Sequence, residues 1–170
     1  MNMSDIETSP ETENAFEAPK ADLSTPVTAK PILEMKRFSA WGVFGLSMIT
    51  LGIYFMYWMY TRLHQINTLS KVAKANITAL YAYIVITIIN NAGQLFIDEI
   101  PEMAAMIIGV LGLVGFVIYL VTIFSTRKAL SEVINEGSEE PVKLGGVLTF
   151  FFSAIYFQYK INEAIDNQSE

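Results

Sequence analysis

The residues able to do chemistry are few. His64 is the only histidine and there is no cysteine. One imidazole without thiolates or a nearby carboxylate pair cannot supply the three or four ligands of a zinc site. Asp98, Glu99 and Glu102 cluster in DEIPE (98–102). They could hold a divalent cation only loosely, and a solvated loop is the simpler reading. HExxH, GxSxG, a Gly-rich phosphate loop and a paired His/Asp ladder are all missing. The expectation is a protein that is not an enzyme, with no cofactor and no metal.

Three features remain. Asn90, Asn91 and Gln94 interrupt an apolar run and share one face at helical spacing. Inside a bilayer such side chains seek partners, each interhelical hydrogen bond contributing about 0.6–2 kcal/mol. They either pack against a neighbouring helix or line a small polar path. Gly109, Gly112 and Gly115, with Ala105 four residues earlier, form a row of small residues that lets helices approach closely. Tyr54, Tyr57, Trp58 and Tyr60 read as an interfacial aromatic belt, or alternatively as a ligand-stacking box.

The elements that must position these residues are legible from composition. Hydrophobic residues make up 52% of the 170 and charged residues only 16%, against about 25% charged in a soluble domain. The net charge is −6, yet no basic residue lies between Lys74 and Arg127. Residues 1–29, rich in Glu, Asp, Ser, Thr and Pro, read as a disordered acidic tail. They lack the basic start and apolar core of a signal peptide. Residues 30–163 read as a helical membrane domain and 164–170 as a short polar C-terminal tail.

Four apolar segments occupy the domain: 38–60, 77–97, 103–124 and 144–159. About 20 helical residues span a hydrocarbon core, so the first three are long enough. The fourth is short and contains Gln158. The fold class expected is an all-α integral membrane protein, multi-pass, with a central helical hairpin and flanking spanning or re-entrant helices. Two polar helices join the segments. Residues 61–76 align Leu63, Ile66, Leu69, Val72 and Ala73, and residues 125–137 align Ala129, Leu130, Val133 and Ile134, with Gly137 as C-cap. Each would lie on the membrane surface or extend a spanning helix into water.

DEIPE carries no Lys or Arg, whereas the linkers 61–76 and 125–143 hold six basic residues. The positive-inside rule places DEIPE outside and the linkers in the cytoplasm. If all four segments span, the remaining five basic residues fall outside and the bias vanishes. If segments one and four enter and return, all eleven lie inside. That favours re-entry, with Thr50-Leu51-Gly52 as the bend. Against it, Trp41 and Trp58 are 17 residues apart, about 26 Å on a helix, a spacing suited to two aromatic belts. IYFMY (53–57) also echoes IYFQY (155–159). Either this is aromatic bias or the two segments are equivalent around the hairpin.

TLGIY followed by YW resembles the signature of a bacterial membrane family, the domain of unknown function 4234. The residues that carry it are Thr50, Leu51, Gly52, Ile53, Tyr54 and Trp58. IYFQYKIN (155–162) resembles the end of that domain, so the resemblance covers about 36–163. It implies an integral protein of a bacterial cytoplasmic (inner) membrane and brings no activity. The expected function is an interaction, scaffold or regulatory component of the membrane. The alternative is a small transporter or channel component with a polar path at Asn90, Asn91 and Gln94. The partners expected are the lipid bilayer and another membrane protein or a second copy. Nucleic acid is not expected, because the few basic residues flank apolar segments, where anionic headgroups are the natural partner.

Overall fold

Thr50, Leu51 and Gly52 divide the first apolar run into two helices, as a bend rather than the centre of one rod. In the computed structural model, which describes residues 30–96, 100–138 and 140–169, a 3-10 turn Pro31–Glu34 precedes α1 (Ala40–Ile49) and α2 (Ile53–Leu69). α3 (Ile77–Gln94), α4 (Glu102–Asn135) and α5 (Gly146–Ser169) follow, and no strand occurs among the described residues. The acidic tail 1–29 and the loop residues Asp98 and Glu99 lie outside the described residues.

Local chemistry sets the boundaries. Ser39 caps α1 by accepting from the Gly42 N–H at 3.1 Å, and Asn76 caps α3 by accepting from the Ala79 N–H at 2.9 Å. α4 begins after Pro101 and ends before Gly137, whose φ is +74°, the C-terminal role expected of that glycine.

Both polar segments extend apolar helices. Residues 61–69 continue α2 and residues 125–135 continue α4. The stripe expected over 61–76 holds only in part. Leu63 and Ile66 are buried, but the helix stops at Leu69 and Val72 is 86% exposed in the following loop. Residues 164–169 stay helical, with Ala164 and Gln168 buried.

The core sits at one end of the molecule. Leu63 and Ile66 of α2 meet Ala129, Leu130, Val133 and Ile134 of α4, Phe157 and Ile161 of α5, and Ile32 of the 3-10 turn, all fully buried. Away from this base α3 and the first half of α4 form a hairpin, the most extensive helix pairing in the fold. The hairpin exposes Val85, Ile88, Ile89, Met106, Val110, Leu113 and Val117. α4 is the one helix among the described residues that is long and apolar enough to cross a membrane, and only 17% of its most apolar window is buried.

Candidate functional site

The elbow between α1 and α2 is built by its own residues. Leu51 (φ +50°) and Gly52 (φ +87°) adopt left-handed backbone, which glycine enters without the Cβ penalty. The Gly52 N–H donates to the Ser47 carbonyl at 2.7 Å, closing the end of α1. Thr50 joins the two helices: its hydroxyl donates to the Leu46 carbonyl at 2.7 Å and accepts from the Tyr54 N–H at 2.9 Å. One side chain thus satisfies an opening N–H of α2 that the break otherwise leaves unpaired, and adds a second bond to a carbonyl that already accepts from the Thr50 N–H at 3.0 Å. Leu51 and Ile53 are 90% and 68% exposed, so these two motif residues present an apolar knuckle.

Trp58 and Tyr54 face the other way. The Trp58 indole N–H donates to Gln158 Oε1 at 3.1 Å, and both side chains are buried. Gln158 Nε2 donates to Asn162 Oδ1 at 2.9 Å. Asn162 closes a two-way bridge with Phe38, its Nδ2 donating to the carbonyl at 2.6 Å and its Oδ1 accepting from the N–H at 3.3 Å. A polar chain therefore runs from the α2 aromatic cluster through α5 to the residues that open α1. Tyr54 stacks obliquely on Phe38 and Tyr57, with ring centroids 6.4 and 6.0 Å apart.

The IYFMY and IYFQY segments each follow a break between helical arms. α5 is broken at Ser153, where the backbone leaves helical geometry, just before Ala154 and IYFQY. Each segment thus begins the longer arm of a bent helical pair, and Gln158, at the place of Met56 in the echo, meets Trp58. Between the bends lies a cavity of about 440 Å³ lined by Val43, Ser47, Gly52, Phe55, Phe151 and Ala154 among others. Tyr119 of α4 reaches the second bend and donates to Ser153 Oγ at 2.8 Å.

The polar trio of α3 is split. Asn90 donates to the Ile108 carbonyl of α4 at 2.8 Å, whereas Asn91 and Gln94 are exposed. Asn90 instead shares a cleft of about 290 Å³ with Tyr83, Thr87 and Tyr119. The row of small residues is also split. A methyl on Gly115 would lie 2.8 Å from Ile86 Cγ2 and one on Gly112 3.1 Å from Asn90 Nδ2, so both are at the α3–α4 contact. Gly109 faces open space, and Ala105 is half-buried. Gly93 is a further close approach that sequence reasoning did not single out: a methyl there would lie 2.7 Å from Ile108 Cδ1. His64 lies near the surface, its Nε2 3.1 Å from the Tyr81 hydroxyl and its ring 4.7 Å from Tyr60.

Glu132 is the functional-looking residue that sequence reasoning missed. Its carboxylate accepts from the Ser70 hydroxyl at 2.9 Å and from the N–H groups of Lys71 and Val72 at 2.8 Å and Ala73 at 2.5 Å. Desolvation raises its pKa, but the hydrogen bonds from Val72, Ala73, Ser70 and Lys71 outweigh it and hold the value at about 2. Lys71 pairs in turn with Glu136. The α2–α3 loop is thereby fastened to α4. A glutamate on a polar helix stripe looks like any solvated charge, so only the partner loop reveals the clamp.

Residues 38–132 match the model of the family described as Domain of unknown function (DUF4234). The match runs from Phe38, bridged by Asn162, to the clamp residue Glu132. It stops short of IYFQYKIN (155–162), to which the resemblance in sequence extended. No curated protein and no solved structure matches the chain.

Proposed function

From the premise that the chain belongs to the DUF4234 family, we propose an integral, multi-pass protein of a bacterial inner membrane that acts as an interaction, scaffold or regulatory component and performs no catalysis. α3 and the first half of α4 form the crossing hairpin. α1 and the first arm of α5 enter from the cytoplasmic face and turn back. The base of the fold stays in the cytoplasm.

One observation carries this reading: the most apolar stretch of α4 has a mean hydropathy of 2.7 and is only 17% buried. A soluble protein hides such a helix in its core, because a large contiguous apolar surface in water drives association. Lipid removes that cost. The elbow fits the same frame. α1 has 10 residues and rises about 15 Å, half the thickness of a hydrocarbon core. The bend is then near the midplane, where Thr50 and Gly52 satisfy the backbone that lipid cannot.

The transport alternative keeps one supporting feature, the cleft shared by Tyr83, Thr87, Asn90 and Tyr119. A path there would need α3 and α4 to part at Gly112 and Gly115, where a methyl on either glycine would crowd the other helix. The interaction reading requires no such movement.

Single-cysteine labelling tests the topology on a chain without native cysteine. Val72→Cys and Ser169→Cys, both at exposed positions, are expected to label only from the cytoplasm, and Glu102→Cys only from outside. Extraction of the protein from membranes by alkaline carbonate, with all three sites labelled from one side, would refute the proposal.

A further inference from the structure

A cavity of about 400 Å³ opens beside the aromatic cluster, between the residues that precede α1 and the middle of α2. Its lining combines Lys36, Arg37 and Arg62 with Tyr54, Tyr57 and Trp58. Two of these aromatics belong to the family motif, and the cations come from two separate segments that the fold brings together. We propose that this cavity binds the phosphate of an anionic phospholipid headgroup. The inference rests on the membrane reading above, which sets Phe38, the first residue of the apolar run, at headgroup level.

Arg62 is built into the site. One guanidinium N–H donates to Gln65 Oε1 at 2.8 Å and another to the Lys36 carbonyl at 2.8 Å. These bonds hold the plane in place and leave its other N–H groups for a ligand. Burial lowers the Arg62 pKa, an effect Tyr54 opposes, yet an arginine stays charged at any physiological pH. A fixed, partly desolvated guanidinium recognises a phosphate through paired hydrogen bonds.

Lys36 adds a flexible cation at the rim, and its side chain forms no ion pair among the described residues. Two acids temper the charge. Asp166 bonds Arg37 at 2.6 Å, and Glu34 lies on the exposed rim, its carbonyl accepting from Gln65 at 3.2 Å. Three cations against two acids leave the cavity net positive. The aromatic walls suit the boundary between apolar chains and polar headgroups. Basic pockets between helices on the cytoplasmic side are a recurrent solution for anionic headgroups.

The test is lipid retention by the purified full chain in detergent, read by native mass spectrometry after exposure to equimolar phosphatidylglycerol and phosphatidylcholine. Retention is expected to favour phosphatidylglycerol. Lys36→Gln and Arg62→Gln should each weaken that preference about fivefold, while Lys128→Gln on the far part of α4 leaves it unchanged. Lys36→Gln carries the test alone if Arg62→Gln does not fold, because the carbonyl rather than the side chain of Lys36 holds Arg62. Equal retention of the two lipids, or an unchanged preference in Lys36→Gln, would overturn the proposal. So would binding of inorganic phosphate without retention of phosphatidylglycerol, which would assign the site to a soluble phosphate. Failure of the membrane reading is seen separately, as release of the chain by carbonate.

Discussion

Replacing Gln158 by methionine, the residue at the equivalent place in the first echo, tests whether the Trp58–Gln158 contact couples the two bent pairs. Gln158 is completely buried and Trp58 is 3% exposed, so water cannot replace a lost partner. Gln158→Met removes the bond from the Trp58 indole at 3.1 Å and the bond to Asn162 at 2.9 Å. It strands a buried N–H donor. Side-chain volume is nearly conserved, so the cost is mainly polar, about 2–4 kcal/mol. Trp58→Phe removes the donor instead and leaves Gln158 Oε1 short of a partner, at about 1–3 kcal/mol plus lost packing. The double variant removes donor and acceptor together. Its destabilisation should fall short of the sum of the single effects by about 1–2 kcal/mol. Denaturant titration in micelles, followed by helical circular dichroism, measures all three. Tryptophan emission adds a local readout in a Trp41→Phe background, since Trp41 is 78% exposed and Trp58 is buried. Additivity within about 0.5 kcal/mol would refute the argument that this bond joins α2 to α5.

The Glu132 clamp carries a pH signature. The folded pKa of about 2 lies below the ordinary 4.5, so its contribution is fully present above about pH 4.5 and is lost as pH falls toward 2. Protease cleavage in the 70–76 loop should rise through that window, and Glu132→Gln should cleave faster at neutral pH and lose the pH dependence. Gly115→Ala should destabilise by about 1–3 kcal/mol, because the added methyl meets Ile86 at 2.8 Å, whereas Gly109→Ala, which meets nothing within 4 Å, should be neutral. Equal melting temperatures for these two variants would remove the assignment of Gly115 to the α3–α4 contact. Gly52→Ala should cost about 1 kcal/mol through its left-handed backbone alone, since no atom lies within 4 Å of the new methyl. Gly52→Asn should be milder by the same thermal measurement, because asparagine tolerates that conformation.

Much of the helical plan was legible because it depends on neighbours within a turn or two. Apolar run length, the Thr50-Leu51-Gly52 break and the Ala129, Leu130, Val133, Ile134 stripe are all local patterns, and α4 buries that stripe as its spacing predicts. The echo pointed toward equivalent segments, but not toward the indole–amide bond between them. The break at Ser153 has no such signal: FFFSAIYF contains neither Gly nor Pro. It stands where the Tyr119 hydroxyl comes from another helix to meet the Ser153 hydroxyl. Asn90, Asn91 and Gln94 looked alike in sequence, and only the packing of α4 distinguished the one that finds a carbonyl from the two that remain exposed.

Side-chain chemistry and helical periodicity defined where the helices run, though not the break at Ser153 or the stop at Leu69, because each helix closes its backbone hydrogen bonds with residues four positions away. Tertiary structure alone decided which polar atoms meet. Trp58 lies 100 residues from Gln158, and Ser70 lies 62 from Glu132. Such a pairing is set by which helix faces pack and at what depth, and buried donors then take the acceptors that packing delivers. The same holds for Lys36 and Arg62, two ordinary flanking cations in sequence that share one cavity once α2 folds back from its bend.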